Sequence, residues 1–246
     1  MNLLVEKYYT EHDSIIEEWR YRHESQGYTD FIYDGVINPE IWFAPNNKGE
    51  RILFILKEGL NKEKPGYATS LVEELRDPER RKLNKTCKPL CLWYCGLNNT
   101  TKEKIPCFED YAKQEDLLSF IEKCAVINVK KSNGVYPSVE KDLKGYISAD
   151  YDLLRHQIAC INPSMIVCGY TFHLLKDYNG RRKKIDYNIF PGDTSIKNDA
   201  IGCYDVNGLP VISYFHPSNR YPESLNFYGL VGMYHDFLNS GERHDK

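Results

Sequence analysis

The sequence predicts a three-layer α/β/α fold around a central, mainly parallel sheet of four strands. Three observations carry that prediction. Four short apolar runs, Ile52–Leu56, Ala125–Val129, Met165–Cys168 and Val211–Phe215, are rich in β-branched residues and largely unalternating, as strands buried on both faces are. Helical patterns lie between the runs. At 246 residues, the chain can bury a sizeable core without disulfide staples, and it reads as one domain.

The elements follow in order. Ser14-Ile15-Ile16-Glu17 reads as a capping box opening a helix. Ile15, Ile16 and Trp19 would form its buried stripe, and Gly27 would end it. The stretch 28–50 carries Gly35, Pro39, Pro45, Asn46 and Asn47, which predicts loop with a short strand near Ile41–Phe43. Residues 1–50 thus form an N-terminal helical extension. After the first apolar run, helices are expected near 67–83 and 88–96, inside an insert of about 60–120. Ile147, Tyr151, Leu154, Ile158 and Ile161 share one helical face, and Asn162-Pro163 stops that helix. The last helix is expected near 223–239, with Leu225, Tyr228, Val231 and Phe237 as core contacts.

Composition narrows the function classes. Lys+Arg 32 against Asp+Glu 35 leaves a net charge of −3, which excludes a protein coated in cations but not a local basic groove. The start of the chain has too short an apolar run for a signal peptide, and nothing reaches membrane-spanning length. A cytoplasmic protein with eight reduced cysteines is expected, with no membrane and no obligatory protein partner. Cys87, Cys91 and Cys95 are spaced i, i+4, i+8, with Cys107 beyond. That spacing matches neither the usual zinc pattern nor ferredoxin runs. Core packing is the expected use, and a metal site is the open alternative. The basic runs Arg76–Lys85 and Lys176–Lys184 read as solvated faces with phosphate binding as the alternative. No nucleotide phosphate loop, dinucleotide fingerprint, zinc-protease or hydrolase-elbow motif occurs.

In open α/β sheets, ligands bind beyond the carboxyl ends of the strands. The residues there are Lys57-Glu58-Gly59, then Asn128 and Lys130–Gly134, then Gly169-Tyr170-Thr171, then His216-Pro217-Ser218-Asn219-Arg220. A carboxylate, an amide, an imidazole and several cations would share one rim.

These residues resemble the uracil-DNA glycosylase superfamily. An apolar strand ending in a polar turn (Ile52–Gly59), an apolar strand bearing asparagine (Ala125-Val126-Ile127-Asn128) and a strand running into His216-Pro217-Ser218 occur in the superfamily's order, and Ile161–Gly169 is similar to the strand before its last motif. The resemblance spans about residues 52–220. The first turn, Leu56–Asn61, has no proline and places Lys57 beside Glu58. Lys131-Ser132 stands where some members carry an iron–sulfur cysteine, so no cofactor is expected.

The resemblance implies hydrolysis of the N-glycosidic bond of uracil or a related damaged base in DNA. Glu58 and His216 would be catalytic, Glu58 orienting water and His216 donating to the departing base. Asn128 would read the edge of the flipped base and Tyr67 would stack on it. Lys131, Ser218, Arg220 and Tyr221 would hold the DNA backbone or fill the gap in the duplex. Two alternatives stay open: a non-cleaving nucleic-acid or nucleotide-binding module of the same fold, and a hydrolase of small nucleosides.

Overall fold

The computed structural model describes residues 2–28, 30–59, 69–134, 137–179, 201–206 and 208–240. Helix α1 spans Leu3–Ser25 and is capped by Asn2, whose side chain accepts a hydrogen bond from the Leu4 N–H at 3.0 Å. Ser14, expected to open this helix, lies in its exposed middle. The buried stripe is Val5, Tyr8, His12, Ile16, Trp19 and His23; half of it is tyrosine and histidine, which a count of aliphatic residues passes over. Gly27 follows the helix with φ +84°, as expected of a helix stop.

The stretch after it holds two short strands, β1 (Ile32–Tyr33) and β2 (Gly35–Val36), and a helical turn α2 (Pro39–Trp42) where a strand was expected. Pro39 favours the first turn of a helix because its φ is preset and its missing N–H is not needed there. Trp42 is buried and its indole N–H donates to the Ile161 carbonyl at 3.0 Å. Gly35 has φ +149°, and a Cβ there would lie 2.6 Å from the Tyr8 hydroxyl and 2.7 Å from His12 Nε2, so only glycine fits.

Strand β3 (Ile52–Glu58) is followed by β4 (Thr69–Ser70), which pairs with β1. The single helix expected near 67–83 is two, α3 (Leu71–Arg76) and α4 (Pro78–Leu83). Pro78 biases Asp77 to extended backbone, and the Asp77 carboxylate caps α4 by accepting from the Glu79 N–H at 2.8 Å. Helix α5 (Cys87–Asn99), helix α6 (Glu109–Ala112) and a 3-10 turn (Leu117–Lys123) lead into β5 (Ala125–Lys130). Then come α7 (Glu140–Ile161), β6 (Met165–Gly169), α8 (Phe172–Asn179), β7 (Gly202–Val206), β8 (Leu209–Tyr214) and α9 (Glu223–Ser240).

The central sheet has the order β2-β5-β3-β6-β8-β7. Its four inner strands are the four apolar runs, and they are parallel. The expected four strands become six because β2 and β7 add antiparallel edges. Neither edge carries an apolar run: β2 has two residues, and β7 contains the half-buried Cys203 and Tyr204 and the exposed Asp205.

Alternate strand residues serve opposite layers. Leu53, Ile55, Ile127 and Ile166 pack with α1 and α7, whereas Phe54, Val126, Val167 and Ile212 pack with α5 and α9. Each fully buried side chain of this kind contributes about 1.5–3 kcal/mol. On α9 the expected stripe is rotated. Leu225 and Tyr228 are exposed, while Phe227, Leu230, Val231 and Tyr234 are buried.

Candidate functional site

The strand order locates a crevice. From β3 the chain crosses to β5 on one side, and then back past β3 to β6 on the other. Such a reversal leaves a cleft at the carboxyl ends of the two adjacent strands, here β3 and β6. Packing is close there: a Cβ on Gly169 would lie 2.7 Å from Leu56 Cδ2 and 3.2 Å from Pro217 Cδ. The His216-Pro217 turn is thereby drawn against the ends of β3 and β6.

His216 is defined by its own loop. Its Nδ1 accepts from the Ser218 backbone N–H at 3.3 Å and lies 2.8 Å from Ser218 Oγ. A ring nitrogen that accepts a backbone N–H carries no proton, so the neutral tautomer bears its hydrogen on Nε2. Burial, with the Lys57 charge in second place, lowers the His216 pKa to about 4. The imidazole is therefore a neutral Nε2–H donor near pH 7. Two further bonds, from the Asn219 backbone and side-chain N–H groups to the His216 carbonyl, brace the turn.

Lys57 and Tyr170 complete this half of the rim. Lys57 Nζ lies 4.4 Å from the centre of the Tyr170 ring. Tyr170 has φ +61°, unusual for an aromatic residue, and is held by its N–H donating to the Tyr214 carbonyl at 2.7 Å. Tyr170 was visible in sequence only as a rim residue. Its left-handed backbone, which points it out beside Lys57, is a tertiary fact.

The other half lies across β3. Asn128, paired in register with Leu56, is 3 % exposed. Its backbone N–H donates to Asp34 Oδ2 at 2.8 Å, and its carboxamide makes no hydrogen bond to another described residue. Glu58 is more enclosed. Its side chain is 3 % exposed, with Lys130 Nζ 3.4 Å away. Both carboxylate oxygens lack a hydrogen-bond partner, and a Cβ on Gly134 would collide with its carboxyl group. The Gly134 N–H donates to the Gly59 carbonyl at 2.9 Å, closing the 131–134 turn over Glu58. The water-orienting role expected of Glu58 needs an open carboxylate, and in this arrangement the turn covers it.

Lys131 faces the interior. Expected on the DNA backbone, it is fully buried, with its Nζ 2.6 Å from Asp34 Oδ1, 2.9 Å from Gln157 Oε1 and over the Trp19 ring. Lys130 is also turned inward, to Asp142 at 2.7 Å. Asp34 was missed, although a lone aspartate inside Phe31-Ile32-Tyr33-Asp34-Gly35-Val36-Ile37 signals a buried carboxylate that needs partners. Ser218, Arg220 and Tyr221 are exposed on the His216 loop. Beside that loop lies a cavity of about 260 Å³ floored by Pro89, Leu92, Trp93 and Pro217. Tyr67 and the side chains of the Lys176–Lys184 run lie outside the described residues.

The remaining candidates disperse. Cys87, Cys91 and Cys95 are buried in the core, whereas Cys107 is on the surface with its thiol donating to Glu109 at 2.9 Å. Among the described residues, no group of three or more His, Cys, Asp or Glu is arranged to hold a metal ion. In the Arg76–Lys85 run, Arg81 is buried on Glu122 at 3.0 Å and Lys82 pairs with Glu79. Among the described residues no helix is long and apolar enough to cross a membrane.

What can the rim do chemically? Its groups are a neutral imidazole donor, a carboxamide with no partner among the described residues, a half-buried amine and an exposed aromatic ring, the kinds of group that bind polar planar ligands and stabilise negative charge. No family model and no curated protein matches this sequence.

Proposed function

We propose that the protein is a DNA glycosylase of the uracil-DNA glycosylase type, hydrolysing the bond between deoxyribose and uracil or a related damaged base. One observation carries the reading: His216, at the crevice, is held neutral by Ser218 on Nδ1, with no partner on its Nε2–H among the described residues. Departure of the base leaves negative charge on its ring, and a fixed N–H donor stabilises that charge more in the transition state than in the ground state. Asn128 supplies a donor and an acceptor for the base edge. Ser218, Arg220 and Tyr221, exposed on the same loop, would make the phosphate and duplex contacts. The compartment we infer is the cytoplasm, where its eight free cysteines stay reduced.

The second reading, a module that binds the same base without cleaving it, is favoured by the covering of Glu58 by Lys130 and the Gly134 turn. An oligonucleotide with a single uracil separates the two. Wild type, Asn128→Ala and His216→Ala proteins are incubated with it and the product is treated with alkali. Strand cleavage by wild type, lost in both variants, is the expected result. Binding by wild type with no abasic product, across several damaged bases, would overturn cleavage and leave the binding module.

A further inference from the structure

We propose that Lys57 is an imine-forming lysine that captures the ring-opened aldehyde of an abasic deoxyribose in DNA. The proposal rests on the base-excision reading for the source of that aldehyde, and on the lysine's own surroundings for the chemistry.

Three lysines lie at the carboxyl ends of the central strands β3 and β5 or just past them, and they are used differently. Lys131 is consumed by Asp34 and Lys130 by Asp142 and Glu58. Lys57 has no carboxylate within ion-pair distance among the described residues. It stands at the β3 end of the crevice, half-buried, with Nζ over the Tyr170 ring and its charge felt at His216. The Tyr170 backbone is strained to hold that ring in place, and strain of this kind gathers at functional sites. Burial lowers the Lys57 pKa, against the opposing charges of Glu58 and Glu140, which enlarges the fraction of free amine. A partly desolvated lysine with no carboxylate partner among the described residues is the arrangement that makes amine nucleophiles.

The step balances without a redox partner. The Nζ lone pair attacks the aldehyde carbon C1′, and a proton passes from nitrogen to the resulting alkoxide. The carbinolamine hydroxyl then leaves as water, taking the C–O electron pair and a proton. Amine plus aldehyde gives imine plus water. In the test, borohydride adds hydride to the imine carbon and fixes the adduct as a secondary amine.

The experiment uses a labelled oligonucleotide with one preformed abasic site, so no excision by the protein is required. Full-length wild type, Lys57→Met and Lys141→Met proteins are mixed with it and with borohydride, and adducts are read on a denaturing gel. Peptide mass mapping of the wild-type adduct locates the modified lysine without relying on any variant's folding. The expected result is a wild-type adduct at Lys57, reduced at least ~10-fold in Lys57→Met and retained in Lys141→Met, as befits loss of the nucleophile. No adduct, an adduct at another lysine, or equal trapping by Lys57→Met overturns the proposal. A parallel assay on the uracil oligonucleotide keeps the two ideas apart. Excision without trapping rejects the lysine chemistry alone, and trapping without excision rejects the glycosylase reading alone.

Discussion

The turns after β5 and β8 look alike in sequence and behave oppositely in the fold. Lys130-Lys131-Ser132-Asn133-Gly134 and His216-Pro217-Ser218-Asn219-Arg220 are both short, polar and cationic. The first is folded inward. Lys131 is sealed on Asp34, Ser132 donates to the Tyr146 hydroxyl at 2.8 Å, and the Asn133 N–H donates to Asp30. The second stays at the surface, stapled by bonds within itself and to Asn226, as in the Asn219–Asn226 amide pair at 2.9 and 3.0 Å. The difference comes from what each strand end meets. β5 ends between the 30–36 segment, β3 and α7, whose Asp34, Glu58 and Asp142 meet its lysines. β8 ends beside the cavity at α5 and α9, where no described carboxylate pairs with Arg220. A cation after a strand is therefore a ligand contact only when the fold leaves it without a buried partner.

The contrast can be broken most severely at Lys131. Lys131→Ala leaves the Asp34 charge buried without its cation, and we expect a loss of about 3–5 kcal/mol, read from urea denaturation. A loss under about 1 kcal/mol, the range of an exposed pair, would show that the inward turn is not held by this ion pair. The outward turn should respond in function instead. His216→Ala is expected to lower base excision by roughly 10²–10³-fold, because it removes the donor from the developing anion. Its effect on the urea midpoint should be small. A large loss of stability with unchanged excision would reverse the assignment of the two turns.

Acid sharpens the same comparison. The His216 pKa is depressed to about 4 from an ordinary 6.5, so the unfolded chain takes up this proton at higher pH than the folded one. The stabilising contribution is complete above about pH 6.5 and is lost as pH falls from there toward 4. The stability gap between pH 7 and pH 4.5 should therefore narrow in His216→Ala relative to wild type. An unchanged gap would mean that the imidazole is not held neutral. The smallest effect is expected at Arg220. Arg220→Ala should weaken oligonucleotide binding modestly and uniformly across sequences, and lower the salt-dependence slope by about 1. A slope that does not move would remove Arg220 from the phosphate contacts.

The parts legible in sequence were those encoded by neighbours. The four inner strands appear as apolar runs because burial on both faces demands apolar residues at every position. Asn162-Pro163 stops α7 as expected because the left-handed Asn162, φ +50°, and the following proline act locally. The His216 turn was legible for the same reason, since its tautomer is set by Ser218, two residues away. The start of α1 was misread because a local capping signature at Ser14 competes with an equally local one at Asn2, and the burial of Tyr8 and His12 decides between them. Lys131 was misread because its partner lies 97 residues away. The cover over Glu58 likewise depends on Gly134, which reaches it only through the pairing of β3 with β5.

By itself, then, the sequence determined the layered α/β character, the four parallel strands and the identity of the polar groups at their ends, because periodicity and turn chemistry are short-range. Only the tertiary structure decided which of those groups remain available. It buried Lys130, Lys131 and Glu58 and left Lys57, Tyr170 and His216 at the crevice. Desolvation and charge pairing depend on which distant segments pack together, and no local pattern of residues carries that information.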